Sequence, residues 1–340
     1  MGPRFRMLLS VVVVLVATGL LVPASVAGQS ADDGWTLPRT PDGHPDLGGV
    51  WANNSATPLE RPEAWADKER LTDEELAALL VASNAAVGDG DALFGDQLVL
   101  AAIAGIEATS YDPTTGNYNQ FWIAERDFDN RTSLVIDPPD GRIPGLTPEA
   151  QERRGHGVAR RDEHPADTYT DRPLQERCVS YGVPRLGAGY NSYYQVFQSA
   201  DHVVFLNEMI HDARVIPIDG QPHLADRVRQ LHGDSRGHWD GDTLVIETTN
   251  YSSQARFRGA SDNLHMVERL TRVGPRTLDY EVTITDPTTW TRPWTVMIPL
   301  MGSDDAIFEY ACHEGNIGME GILAGHRAEE RETTAESGSK

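Results

Sequence analysis

Positive charge is scarce in this sequence. Lys and Arg number 29 against 51 Asp and Glu, leaving a formal net charge of −22 over 340 residues. A surface this acidic repels phosphate backbones and anionic lipid heads, which argues against any nucleic-acid partner. Cysteine is scarcer still: Cys178 and Cys312 are the whole complement, so no CxxC redox or zinc motif exists. The phosphate loop, the Rossmann glycine pattern, the Gly-x-Ser-x-Gly elbow and the His-Glu-x-x-His helix are missing as well. Beyond the N-terminus no apolar stretch is long enough to span a bilayer. The hydrophobic fraction of 39% is enough for a true core, which excludes disorder along the whole chain. The length allows two domains of roughly 150 residues each, or one large β-rich domain.

Arg4 and Arg6 precede an apolar run over residues 7–22, and Pro23 then introduces a small-residue stretch at 24–28. That order describes a signal peptide over residues 1–28, cut after Ala27 or Gly28, with an uncleaved anchor as the alternative. The expected mature protein is periplasmic or secreted, without stable membrane insertion. In an oxidising compartment two lone cysteines form a disulfide, and Cys178–Cys312 would close a long loop worth about 4–5 kcal/mol in the chain-entropy picture. The competing reading is a catalytic thiol in Cys312-His313.

Residues 29–130 read as an extended lead-in followed by a helical appendage or lid. Thr72 and Glu75 make a capping box for a helix over 72–87, with Leu76, Leu79, Leu80 and Val87 at helical spacing. Residues 93–106 suggest a second short helix, punctuated by Gly88, Gly95 and Gly105. Thr147-Pro148-Glu149 is an N-cap with Pro at N1, predicting a brief helix to Arg154. From 156 to 177 the chain reads as a polar surface loop, and 326–340 as a disordered tail.

An antiparallel β domain is predicted over residues 131–325. Eight strand-like runs follow one another from 203 to 314, with turns such as Asp219-Gly220, Asp240-Gly241 and Gly274-Pro275 between them. Leu278, Tyr280, Val282 and Ile284 alternate with Asp279, Glu281, Thr283 and Thr285, the period of two that a half-buried strand requires. An up-and-down meander of this kind hides its edges by closing into a barrel or wrapping into a sandwich. The fold expected is therefore mainly β, with a small N-terminal helical appendage. Residues 131–137 add a possible further hairpin.

Gly49-Val50-Trp51 ahead of such a meander resembles the Gly-x-Trp opening of lipocalins, which implies a lipocalin-like barrel with the Trp plugging one end. The strings at 207–214 (NEMIHDAR) and 312–316 (CHEGN) resemble an uncharacterised family of exported bacterial proteins, a likeness that brings no reaction with it.

Chemistry should sit where polar residues interrupt apolar strands. Glu208, His211, Asp212 and Arg214 form the first cluster, and an acid beside His211 could orient it as a general base. His265 and Glu268 lie in one strand, and His313 follows Cys312. The competing reading of each cluster is structural: a hairpin-end ion network, outward cross-strand pairing, or the polar exit of the last strand. Tyr190, Tyr194, Trp294 and Tyr310 are candidates to line a pocket for an apolar or ring-bearing ligand. His211, His265, His313 and Glu208 could bind a metal only if their strands converge, so no metal or other cofactor is expected. Two functions follow. One is an exported isomerase, lyase, cyclase or hydrolase using His/Asp/Glu acid–base chemistry on a cyclic or lipophilic small molecule. The other is a lipocalin-like small-molecule binding protein without catalysis. Convergence of Glu208, His211, His265 and His313 in one cavity would favour the first.

Overall fold

Alternation builds the sheet. In strand β9 (Thr277–Thr285) the side chains of Leu278, Tyr280, Val282 and Ile284 are buried to 2% exposure or less, while their neighbours lie half-open on the other face. β9 pairs antiparallel with β8 (His265–Arg272) on one side and β10 (Trp294–Ser303) on the other. The computed structural model describes residues 34–87, 93, 96–107, 126–182, 184–254 and 257–338. The expected signal peptide lies outside these residues, as do Gly88 and Gly95.

Among the described residues, ten strands form one antiparallel sheet. The others are β1 (Gly49–Ala52), β2 (Val135–Asp137), β3 (Tyr193–Gln198), β4 (His202–Asn207), β5 (Ala213–Pro217), β6 (Asp234–Asp240) and β7 (Thr243–Thr249). Their order is β5-β4-β3-β1-β10-β9-β8-β7-β6, with β2 beside β10. The sheet bends back on itself, so its end strands face one another. Arg214 of β5 reaches Ser235 Oγ of β6 at 3.1 Å. A Cβ on Gly237 of β6 would meet the Ile218 and Ile216 methyls at 2.6 and 3.2 Å, so only glycine permits this approach. Among the described residues no backbone ladder crosses the seam; side chains join it. The interior holds Trp51, Phe205, Ile246, Tyr280, Trp294 and Ile298. Trp51 donates its indole N–H to the Leu47 carbonyl at 2.9 Å and carries the Arg272 guanidinium over its ring.

Several expectations are corrected here. Gly49-Val50-Trp51 is no lead-in to a separate β domain but a strand between β3 and β10. Residues 131–137 give only the short β2. The predicted last strand, 306–314, does not form: β9 occupies one edge of β10, and β1 and β2 share the other, leaving no partner.

Helix α1 (Asp73–Val87) has the expected capping box, with Glu75 N–H donating to Thr72 Oγ1 and Thr72 N–H to Glu75 Oε2. With α2 (Gln97–Ala104) it packs a satellite core of Leu71, Leu79, Val99 and Ala102. Helix α3 (Pro148–Glu163) starts at the predicted Thr147 cap but passes Arg154, because Gln, Glu, Arg and Ala outweigh Gly155 and Gly157. The expected disordered tail is instead the end of α4 (Ile317–Gly338), whose good helix formers are tied back by Arg327 to the carbonyls of Ala166 and Asp167. No helix among the described residues is long and apolar enough to cross a membrane.

Candidate functional site

Arg214 and Glu268 take inward positions on β5 and β8 because each alternates with outward neighbours. They meet inside the sheet as a bidentate pair, Nη1 to Oε1 at 2.9 Å and Nη2 to Oε2 at 2.6 Å. Arg214 Nη2 also donates to Ser235 Oγ at 3.1 Å and Thr248 Oγ1 at 3.3 Å, and the Tyr280 hydroxyl donates to Glu268 Oε1. Burial alone would lower the pKa of Arg214; the Glu268 carboxylate and its hydrogen bonds outweigh that and raise it above its ordinary value. Burial, then the Glu268 charge, pushes the Tyr280 phenol well up. Glu268 is 1% exposed. Sealed inside the sheet, it neutralises the Arg214 charge.

The other expected site residues divide: Glu208 and His211 both reach the 308–310 segment, while Asp212 and His265 take partners elsewhere. Glu208 is buried and accepts the Phe308 N–H at 3.3 Å. His211 is exposed, and its Nε2 accepts the Tyr310 N–H at 2.8 Å. Ile210 and His211 both hold left-handed backbone, φ 59° and 55°, which separates the paths of His211 and Asp212. Asp212 turns inward to accept from Ser180 Oγ at 2.9 Å and the Tyr181 N–H at 3.2 Å. Its second oxygen lies 3.2 Å from His232 Nε2. The pair formed is thus Asp212–His232 in place of His211–Asp212. His265 stands on the outer face against Glu247 at 2.7 Å, and His313 is exposed after the disulfide. The metal set imagined from these residues is not assembled. Among the aromatics, Tyr194 is 4% exposed and Trp294 fully buried, the latter packed edge-on against Trp290. Tyr190 and Tyr310 meet edge-on at 6.3 Å elsewhere. Tyr194 and Trp294 belong to the core.

A cleft that the sequence reading missed lies beside them. It has a volume of about 990 Å³ and is walled by the end of α3, by residues from 170–182 and 184–188, and by residues at 231–232, 251–254 and 257–258. Among the described residues, six arginines and two histidines line it, against one aspartate, Asp171. Arg160 is answered by Asp171 at 2.8 Å and Arg172 by Glu176 at 2.7 Å. Arg161, Arg177, Arg185 and Arg258 form no salt bridge among the described residues. Arg177 lies over the Tyr169 ring at 5.3 Å and Arg185 over Tyr181 at 4.6 Å. Stacking of this kind orients the planar guanidinium while leaving donors free for an oxyanion. Arg185 Nη1 is further held by the carbonyls of Tyr190 and Asn191 at 2.9 and 2.8 Å. The Cys178–Cys312 disulfide, joining residues 134 positions apart, fixes the backbone next to Arg177. Leu186, Tyr251 and Phe257 give the cleft an apolar side continuous with the core, and His232 stands at its edge with Asp212 behind. The available signal was arginine bunching between 153 and 185 of an acidic chain, hidden because that stretch lacks periodicity.

No protein-family model matches the sequence, and no curated protein matches it significantly. One similar solved structure is a secretory abundant heat soluble (SAHS) protein from Ramazzottius varieornatus. It is 10% identical, the likeness covers 33% of this chain and 70% of that one, and the TM-score is 0.22. A likeness this slight supports no functional inference.

Proposed function

We propose that this is an exported small-molecule binding protein that holds an anionic, partly apolar ligand in the arginine-lined cleft. The observation carrying this is the concentration of six arginines around one cavity of a chain whose net charge is −22. Charge of the minority sign gathered in one place focuses the field on an incoming anion. The volume suits a small organic molecule. A carboxylate, phosphate or sulfate group would sit against Arg177 and Arg185, where charge-assisted bidentate bonds are strongest, with its apolar part over Tyr251 and Leu186. The disulfide supports export, because such bonds persist in oxidising compartments.

The test is calorimetric titration with an aryl phosphate and a medium-chain fatty acid, each beside its neutral alcohol or ester. The acids should bind and weaken with salt, and Arg177→Ala with Arg185→Ala should together cost about a hundredfold or more, from charged hydrogen bonds worth about 1.5–3 kcal/mol each. Equal binding of the neutral analogues would reject the reading. The Asp212–His232 pair favours a second reading, in which the same cleft performs acid–base catalysis with His232 as the proton-moving group. His232→Ala would then abolish turnover while sparing ligand binding.

A further inference from the structure

The end of α3 meets α4 at a cluster beside the cleft, which shares His164 with it. His326 Nε2 lies 3.2 Å from Asp167 Oδ1 and 3.5 Å from Glu330 Oε1. All three donor atoms fall within 4.8 Å of one another. Ligands at about 2.0–2.1 Å around a tetrahedral ion stand about 3.3 Å apart, so the spacings to His326 are those of a coordination shell.

The second oxygen of each carboxylate is held by another group. Asp167 Oδ2 is bonded to His164 Nδ1 at 2.7 Å, which leaves Oδ1 toward the shared point. Glu330 Oε2 is held by Arg327 Nε at 2.8 Å, which leaves Oε1 toward it. His326 Nδ1 lies 3.7 Å from Glu329, beyond hydrogen-bond distance. The His326 side chain is 16% exposed, and Glu330 follows it at i,i+4 on one helical face. Arg327 also grips the Asp167 carbonyl at 3.1 Å, fixing the loop that supplies the third donor. One imidazole with two carboxylates suits a divalent transition ion better than calcium or magnesium, which take oxygen donors alone.

We propose that Asp167, His326 and Glu330 form a binding site for a divalent transition-metal ion, with His164 as an outer partner. The ion would clamp α4 to the end of α3. An Nε2–H of His326 shared between the two carboxylates is the arrangement that would give the same distances without a metal.

Titration of the full, tag-free mature chain with zinc chloride in a non-chelating buffer near neutral pH separates the two. One tight equivalent is expected, together with a raised melting temperature, and calcium or magnesium in excess should not displace it. His326→Ala should weaken that equivalent by at least about tenfold, and His164→Ala by about tenfold as an outer partner. Glu330→Gln keeps a good helix former and should weaken it as well, so loss of α4 is not mistaken for loss of a ligand; circular dichroism checks the helix. His265→Ala, on the far strand, should leave it unchanged. Absence of zinc binding by the wild-type chain, unchanged affinity in His326→Ala, or displacement by calcium would each overturn the proposal.

Discussion

Arg214 and Arg177 show how differently one residue type is used in the two polar regions of this molecule. Arg214 is 7% exposed, grips both oxygens of Glu268 and has Ser235 and Thr248 around it. Arg177 stands at a cleft, stacked on Tyr169 with no carboxylate partner among the described residues. A charge buried inside the fold must be neutralised by the fold, because leaving it unpaired costs several kcal/mol. A charge at the rim is hydrated and can wait for a partner from outside. Polar density within strands therefore pointed to the structural centre, and the cleft proposed to bind a ligand lies in loops and a helix end.

Breaking the interior pair should give the largest effect. Glu268→Ala should cost about 3–5 kcal/mol of stability in urea denaturation, because it strands Arg214. Replacing both partners together, Arg214→Met with Glu268→Leu, should recover most of that loss. A Glu268→Ala loss below about 1 kcal/mol would end the distinction between the two regions.

Asp286 gives a smaller, pH-dependent effect where the turn after β9 holds the loop bearing Phe257 near the cleft. Burial alone would raise its pKa, but Thr289, Thr288 and the Ser261 N–H donate to the carboxylate and hold it below the usual range. A depressed folded pKa means this contribution is complete above the unfolded value of about 3.9 and is lost as pH falls through the folded value. Asp286→Asn should therefore lose about 1–3 kcal/mol near neutral pH, and the gap to wild type should shrink in acid. A gap constant across that range would show that its charge is not what binds the loop.

The smallest effects should come from Arg177 and His211. Arg177→Ala should move stability by under about 1 kcal/mol while weakening anion binding, the inverse of Glu268→Ala. His211→Ala removes one acceptor from the Tyr310 N–H at an exposed turn and should cost about 0.5–1.5 kcal/mol. It should leave ligand binding unchanged. A strong binding defect in His211→Ala would instead bring the 208–214 turn into the site.

The period of two settled β8, β9 and β10, and with it the inward face of Glu268, because alternation is a local property that survives into the fold. The α1 capping box and the disulfide were legible for the same reason: each rests on few residues and one constraint. What Glu268 would meet was not legible, since Arg214 lies 54 positions away and is brought to it only when the sheet bends back. Nor could adjacency reveal that Asp212 serves His232, because two left-handed residues turn it from His211. The cleft depended wholly on tertiary structure. Its arginines come from a helix end and aperiodic loops, and their positions are set by packing, stacking and the disulfide, none of which leaves a repeat in the sequence.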